Sequence, residues 1–227
     1  MDTMFRLDAS IRPQQSVTRS LADRVEAAAV ANHAGLRVIR RDVGLQPLPT
    51  DAWPQSFSAV YVPEADRSAE QRQAAAFASV LADELLSAAA YLFAIPLYNW
   101  GAPAQVKNWV DLITTDPRFG PRSKALTGRP AALIVARGGD YGADSPRASW
   151  DHATPWLTRI FTDVWGLDLS VIETDLTLAS VVEEMAERRG EAARRLAQAE
   201  LAASALGATL LPARQEQPAQ PLLATVS

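Results

Sequence analysis

The chain has 227 residues, of which 48% are hydrophobic and 21% are charged, a composition typical of a globular protein with a substantial core. Its formal net charge of -4, without a basic block, argues against a nucleic-acid partner. The absence of cysteine excludes disulfides and cysteine nucleophiles, and no apolar stretch is long enough to cross a bilayer, so we expect a cytoplasmic protein.

The first predicted strand, Met4 to Ala9, ends in a loop that carries three hydroxyl side chains. Ser10 follows the strand directly, and Ser16 and Thr18 lie at the start of a helix that ends near Gly35. The free N–H groups and the dipole at a helix N-terminus favour a phosphate, whose hydrogen bonding hydroxyls can complete. Because serine and threonine are also ordinary capping residues, the loop taken alone favours simple capping.

The next predicted elements are a second strand at Leu36 to Val43 and a long helix at Glu70 to Ser87, which is rich in Ala, Leu, Gln and Glu. Between them, the proline-containing segment Gly44 to Ala65 is predicted to be irregular. An apolar run at Ala88 to Ile95 has the length of a buried strand and is predicted to be the third.

The loop after the third strand is the most informative part of the chain. Leu97 to Gly101 reads Leu-Tyr-Asn-Trp-Gly between two prolines, and the apolar spacing predicts a helix from about Ala104 to Thr115. Loops at the carboxyl ends of strands hold ligands in open parallel sheets. The flat faces of Tyr98 and Trp100 beside a glycine indicate a planar heteroaromatic ligand, although such aromatics often only pack the core.

The fourth strand is predicted at Ala131 to Ala136 and is followed by the sequence Arg-Gly-Gly. A helix that contains Trp156 and Val164 leads to a fifth strand at Leu167 to Thr174. A last helix is predicted from near Ala179 to about Leu206, with alternating charges typical of a solvated face.

Five strands that alternate with helices predict an α/β protein with one doubly wound, five-stranded parallel sheet. In the flavodoxin-like strand order, strands one, three and four are neighbours, so the loops after them meet at one edge and can share a ligand. We predict a single flavodoxin-like domain over residues 1–211. Residues 212–227 have few apolar anchors and are predicted to be a disordered tail.

Five segments, in order and context, resemble the FMN-dependent NADH-azoreductases, also called FMN-dependent NADH:quinone oxidoreductases, which have the flavodoxin-like fold. They are Leu7–Arg12, Ser16–Leu21, Pro96–Trp100, Gln105–Asp111 and Ala136–Gly139. The most specific are the Tyr-Asn-aromatic loop with the Gln-x-Lys-Asn helix after it, and the Arg-Gly-Gly loop. The resemblance covers the chain to about the last helix.

The resemblance implies a homodimer with FMN at each subunit interface, NADH or NADPH as hydride donor, and a quinone or azo compound as acceptor in a ping-pong cycle. It implies that the FMN phosphate is held by Ser10, Ser16, Val17 and Thr18. It implies that the flavin ring is lined by Leu97, Tyr98, Asn99 and Trp100 and closed on its other side by Ala136, Arg137, Gly138 and Gly139. No side chain is expected to be a catalytic acid or base, because the flavin supplies the chemistry.

The chain departs from the family pattern at several positions. Thr18 and Trp100 stand where serine and phenylalanine are common, and Ala136 stands where a hydroxyl residue is common. Asp140-Tyr141 replaces a segment that often bears a histidine, which leaves Tyr141 as a hypothetical substrate contact. Substrate preference is therefore the least transferable property, and FMN binding the most.

Two other functions remain open. One is a flavin-binding electron carrier or redox sensor without turnover, and the other is a flavin reductase specialised for one aromatic metabolite. The chain is only mildly acidic and has extra length at Gly44 to Ala65, which favours the enzyme over a carrier. A metal site is not expected, because His33 and His152 lack Cys, His or spaced carboxylate partners.

The sequence also leads to an expectation about assembly. Trp109, Trp156 and Trp165 fall on apolar helix faces and are more aromatic surface than one sheet face readily hides. We therefore expect these tryptophans to contribute to the interface of a two-fold dimer.

Overall fold

The computed structural model describes residues 2–211, and its centre is a five-stranded sheet with the order β2-β1-β3-β4-β5. All four strand pairs are parallel. The strands are β1 (Thr3–Asp8), β2 (Arg37–Asp42), β3 (Ala90–Pro96), β4 (Pro130–Ala136) and β5 (Asp168–Thr174). The predicted flavodoxin-like sheet is thereby confirmed, whereas the predicted tail lies outside the described residues.

Helices cover both faces of the sheet, because side chains along each buried strand alternate between two apolar layers. The helices are α1 (Val17–Asn32), α2 (Ala52–Ala59), α3 (Ala69–Leu86), α4 (Ala104–Ile113), α5 (Thr154–Thr158) and α6 (Arg189–Thr209). Helices α1 and α6 pack with one layer, and α3, α4 and α5 pack with the other. A single π-helical stretch, Arg159–Val164, extends α5. Within residues 2–211, no helix is long and apolar enough to span a membrane.

The layer under α4 is an aromatic cluster that buries two of the three tryptophans expected at a dimer interface. Trp109 and Trp165 are both 0% exposed. Trp109 stacks on Phe5 with ring centroids 6.0 Å apart and meets the edge of Trp165 at 5.5 Å. Phe119, from the segment after α4, closes over Trp165. The interface expectation is therefore wrong for these two residues, and Trp156 is partly buried against the same cluster.

Helix α2 lies inside the segment Gly44 to Ala65, where no regular structure was predicted. Pro54 sits in its first turn, where a helix tolerates proline because that N–H has no intrahelical partner. Four large apolar side chains of α2 and of the turn directly after it remain exposed, namely Trp53 (40%), Phe57 (49%), Val60 (54%) and Tyr61 (74%). We call these four residues the α2 ridge; they line a cavity of about 670 Å³.

The start of the last helix also differs from its prediction. A 3₁₀ segment, Glu183–Arg188, precedes α6, which begins at Arg189 rather than near Ala179. At its other end, Gly207 lets α6 approach α1, since an added Cβ would lie 2.2 Å from the carbonyl oxygen of Val25.

Strands β2 and β5 are the two edges of the sheet, and both carry charges. Strand β2 reads Arg-Val-Ile-Arg-Arg-Asp, so its charge is mainly positive. Strand β5 carries Asp168 and Glu173 and leaves Val171 exposed. Charged side chains on an edge strand discourage pairing with another chain.

Candidate functional site

A cavity of about 440 Å³ opens at the carboxyl edge of the sheet, where the loops after β1, β3 and β4 meet. Its volume is within the range of small-molecule sites. Nine of the residues predicted from the sequence line it, namely Ser10, Ser16, Val17, Thr18, Leu97, Tyr98, Asn99, Ala136 and Gly138. The other three predicted residues, Trp100, Arg137 and Gly139, do not line it. Their role in holding a flavin stays a prediction.

One end of the cavity is the N-terminus of α1. Ser16 caps the helix by accepting a hydrogen bond from the Arg19 backbone N–H at 3.4 Å, and its hydroxyl lies 3.2 Å from that of Thr18. Within residues 2–211, the backbone N–H groups of Val17 and Thr18 have no protein acceptor, as expected in a first helical turn. Two free N–H groups, two hydroxyls and the helix dipole make this end suited to an anion.

The loop after β1 is held in place from beneath. The carbonyl oxygen of Ser10 accepts a hydrogen bond of 2.7 Å from the Arg19 guanidinium. Arg19 also binds both oxygens of Asp42, at 2.7 and 2.9 Å. That hydrogen bond to Asp42 holds the pKa of Arg19 above its ordinary value. Gly44 packs against the same loop so closely that an added Cβ would lie 2.2 Å from the Ser10 oxygen.

The other end of the cavity is a tight turn after β3. Tyr98 and Gly101 exchange two backbone hydrogen bonds of 3.0 Å, and the residues between them, Asn99 and Trp100, have φ angles of 47° and 63°. Positive φ at both central residues is the geometry of a type I′ turn. Asparagine tolerates this conformation, whereas tryptophan is strained in it and needs support from its surroundings.

Support for the turn comes from the segment before α5. The Trp100 carbonyl accepts a hydrogen bond of 2.9 Å from the His152 N–H, and its ring meets the edge of Trp150 at 5.8 Å. On the cavity side, the Tyr98 hydroxyl lies 3.4 Å from the Ser10 hydroxyl and accepts a hydrogen bond of 3.3 Å from the Ile11 N–H. Tyr98 thus joins the ring end of the cavity to the anion end.

The third wall is the Gly138 loop. A Cβ added to Gly138 would lie 2.7 Å from Leu178 Cδ1, so any larger residue here would require the Leu178 side chain to move. The Gly138 carbonyl accepts a hydrogen bond of 3.2 Å from the Leu178 N–H, and the Arg137 carbonyl accepts one of 3.1 Å from Thr177. The loop after β5 is therefore part of the wall.

Sequence reasoning missed six residues of this wall. They are Ile11, Arg12, Gln15, Pro96, Thr177 and Leu178. Thr177 and Leu178 could have been found, because β5 pairs with β4 and its following loop must leave from the same edge. Nothing in the sequence indicated which of the exposed residues between Ser10 and Ser16 would turn toward the cavity.

The side chain of Arg137 is buried and makes ion pairs instead of lining the cavity. Its guanidinium contacts Asp151 at 2.9 Å and Glu173 at 3.2 Å, and it also binds Asp175. Burial lowers the pKa of Arg137, but hydrogen bonds to Asp175 and Asp151 outweigh burial and hold that pKa above its ordinary value. Tyr141, the hypothetical substrate contact, lies beneath this guanidinium at 5.7 Å and does not line the cavity.

The residues present fit FMN. Hydroxyls and free N–H groups at the start of α1 suit the phosphate, and the part of the cavity lined by Leu97, Tyr98 and Gly138 suits a planar ring. Within residues 2–211, no group of three or more His, Cys, Asp or Glu residues could hold a metal ion.

Comparison with known proteins gives consistent matches. A family profile described as "flavodoxin-like fold" matches residues 3–201. A protein of Frankia casuarinae named FMN-dependent NADH:quinone oxidoreductase is 32% identical over 190 residues, which cover 82% of this chain and 90% of the relative. A protein of Kineococcus radiotolerans with the same name is 34% identical over 216 residues, covering 92% of this chain and 100% of the relative.

Solved structures with the same fold include an azoreductase from Bacillus anthracis, with a TM-score of 0.73 and 20% sequence identity. The match covers 92% of this chain and 99% of that one. At this identity the likeness shows a shared fold.

Proposed function

We propose that this protein is an FMN-dependent oxidoreductase acting on quinones or azo compounds, because the chain belongs to the flavodoxin-like family. That family includes the FMN-dependent NADH:quinone oxidoreductases. This membership confirms the resemblance predicted from the sequence. The chemistry that bound FMN would supply is hydride transfer from NADH or NADPH to the acceptor in a ping-pong cycle. The cavity between the α1 N-terminus and the Tyr98–Gly101 turn is the observation that carries the proposal.

At the anion end of the cavity, the residues would bind and orient the phosphate group of FMN. The N–H groups of Val17 and Thr18 are placed to donate to phosphate oxygens, and the hydroxyls of Ser10 and Ser16 lie on the same wall. The helix dipole favours the negative charge. Because Arg19 and Gly44 fix the backbone of Ser10, these donors are in place before a ligand arrives, and preorganised donors cost little on binding.

At the ring end, the residues position a flat group and exclude water. Leu97 is 8% exposed, Tyr98 is half-buried, and Gly138 lines the same cavity. These walls leave a slot between the turn after β3 and the loop after β4. We propose no side chain as acid or base, and the role of the chain is orientation and shielding.

The purified protein is expected to bind FMN and to oxidise NADH when menadione is the acceptor. FMN titration should quench flavin fluorescence, and steady-state absorbance should report NADH consumption. Absence of FMN binding would refute the proposal, whereas FMN binding without turnover would favour the electron carrier. The alternative hypothesis, an enzyme specialised for one aromatic metabolite, was based on Trp100 and Tyr141. Neither residue lines the cavity.

Arg12 is expected to strengthen the binding of the phosphate. It is the one basic side chain on the cavity wall, and among the described residues it forms no ion pair. An exposed charge pair contributes up to about 1 kcal/mol, so Arg12→Gln should weaken FMN binding by roughly fivefold. Riboflavin, which lacks the phosphate, should bind the variant and the unchanged protein alike.

Arg159→Gln is a matched control for Arg12→Gln, because it removes the same charge from a side chain that is 75% exposed and lies outside the cavity wall. Fluorescence titrations at two salt concentrations would measure both ligands. An equal loss of FMN and riboflavin affinity in Arg12→Gln would contradict a contact with the phosphate.

We also propose that the protein is a homodimer and that the α2 ridge contributes to its interface. The support is the exposure of Trp53, Phe57, Val60 and Tyr61, whose three rings follow one another at centroid distances of 6.2 and 5.4 Å. Contiguous exposed apolar surface of this kind usually marks an interface. A two-fold dimer is the commonest closed assembly.

Phe57→Asp is expected to shift the protein from dimer to monomer at micromolar concentration, because it buries an unpaired charge in the proposed interface. Leu201→Asp is the control, since Leu201 is 74% exposed on α6, which packs on the other layer of the sheet. Sedimentation velocity would measure both variants. A dimer that persists in Phe57→Asp and dissociates in Leu201→Asp would place the interface elsewhere.

The cytoplasmic location that was expected from the sequence stays a prediction.

A further inference from the structure

The guanidinium of Arg137 lies where three carboxylates from two different parts of the chain meet. Asp151 precedes α5, while Glu173 and Asp175 lie at the end of β5. None of the four residues lines the cavity, so the binding of FMN described above makes no use of their side chains. Arg195 also reaches Asp175, at 3.2 Å, but it does not contact Asp151 or Glu173.

Through Asp175, Arg137 fixes the chain that leaves the Gly138 loop. One oxygen of Asp175 binds the Arg137 guanidinium, and the other accepts a hydrogen bond of 3.0 Å from the Tyr141 N–H. The Tyr141 ring then lies under the guanidinium. Gly138 and Gly139 are therefore held at both ends, by the Arg137–Asp175 contact before them and by the hydrogen bond from Tyr141 to Asp175 after them.

Through Asp151, Arg137 reaches the opposite wall of the cavity. Asp151 Oδ1 accepts hydrogen bonds of 2.9 Å from the N–H groups of Ala153 and Thr154, while Oδ2 binds Arg137. The adjacent residue, His152, donates to the Trp100 carbonyl. Since Trp100 is strained at a φ of 63°, the turn depends on such outside contacts to keep its shape.

The charges explain why a cation is needed at this point. Asp151, Glu173 and Asp175 all bind one guanidinium, whose planar fork can serve several carboxylates at once. Without it, the carboxylates would repel one another, and Asp151 and Asp175 are too buried for water to screen them well. The segment before α5 would then move away from the end of β5.

We propose that Arg137 is a positioning residue, which sets the separation between the Gly138 loop and the Tyr98–Gly101 turn and thereby the fit of the flavin ring. This inference rests on the proposed function. It assigns to the Arg137 side chain an indirect role in place of a direct contact with FMN. The anion end at α1 does not depend on this contact, so phosphate binding should be spared.

Arg137→Met tests the proposal with two ligands, FMN and lumiflavin, which is the flavin ring without the ribityl phosphate. We expect about tenfold weaker binding of both, which corresponds to about 1.4 kcal/mol, and an altered visible circular dichroism spectrum of the bound ring. Arg137→Lys keeps the charge but loses the planar guanidinium that can contact several carboxylates at once. Its affinities for FMN and lumiflavin should be intermediate. Arg118→Met is the matched control, because Arg118 also binds two carboxylates, Asp116 and Asp83, away from the cavity.

Asp151→Asn is the second variant, which keeps the proposal testable if Arg137→Met does not fold. It removes one charge from the contact with Arg137 and should also weaken lumiflavin binding and change the spectrum. Wild-type affinity for lumiflavin with an unchanged spectrum in a folded variant would overturn the positioning role alone. Failure of the unsubstituted protein to bind FMN would overturn both this role and the proposed function.

Discussion

Replacing Trp109 with alanine will lower the free energy of unfolding by about 3–5 kcal/mol, the cost typical of removing a large buried aromatic side chain. Trp109 is 0% exposed and is surrounded by rings, with Phe5 stacked at 6.0 Å and Phe93 tilted at 6.3 Å. Removing the indole leaves a cavity that rigid neighbours from the sheet and from α4 cannot fill. Urea denaturation monitored by far-ultraviolet circular dichroism would measure the loss.

Trp150→Ala is the control for Trp109→Ala, because it removes an identical side chain that is 45% exposed. We expect this control to change the free energy of unfolding by about 1 kcal/mol or less. A Trp109→Ala protein that keeps its stability and sediments as a monomer would restore Trp109 as an interface residue. Trp109→Phe should cost less than the alanine variant, since Trp109 Nε1 has no hydrogen-bond partner within the described residues.

Gly44→Ala will weaken FMN binding by about tenfold or more and will also destabilise the fold. Its Cβ would lie 2.2 Å from the Ser10 carbonyl oxygen and 2.8 Å from the Ala9 carbonyl carbon. Both atoms belong to the backbone and cannot rotate away, so the loop after β1 must move. Overpacking of this kind costs about 1–3 kcal/mol, and 1.4 kcal/mol corresponds to a tenfold change in affinity.

The control for Gly44→Ala is Gly190→Ala, the same chemical change in α6, where the new Cβ would meet only the flexible end of Arg194, at 3.9 Å. That substitution should leave FMN binding unchanged and should not destabilise the helix. Flavin fluorescence titration and thermal unfolding would be measured for both variants. Unaltered FMN affinity in Gly44→Ala would mean that the Ser10 loop does not contribute to the site.

The sequence predicted those parts of the fold that depend on local pattern. The buried run around Phe93 is apolar on both faces, which only a central parallel strand requires, and the loops after β1, β3 and β4 follow from the strand order. The resemblance depended on short segments in these same loops. For that reason, most of the residues it implied, such as Ser16, Tyr98 and Gly138, line one cavity.

What could not be predicted depends on tertiary contacts. The burial of Trp109 is decided by Phe5 and Trp165, which approach it only after the chain folds. The direction of the Arg137 side chain is decided by carboxylates as distant in sequence as Asp175. Helix α2 has only eight residues and lies in a segment rich in proline, so the start signals it does carry, Asp51 at the N-cap and Pro54 in the first turn, did not distinguish it from an irregular loop.

The charges on the two edge strands, β2 and β5, affect whether two copies of the protein can pair through their sheets. Every open sheet offers unpaired backbone groups at its edges, and a second copy can add there as a further strand. In this protein, pairing β2 with another β2 would bring arginines such as Arg40 and Arg41 together, and pairing β5 with β5 would oppose Asp168 and Glu173. Like charges placed opposite one another in this way disfavour strand pairing. Pairing of either edge with its own copy is therefore disfavoured, whereas the basic β2 edge and the acidic β5 edge do not repel one another.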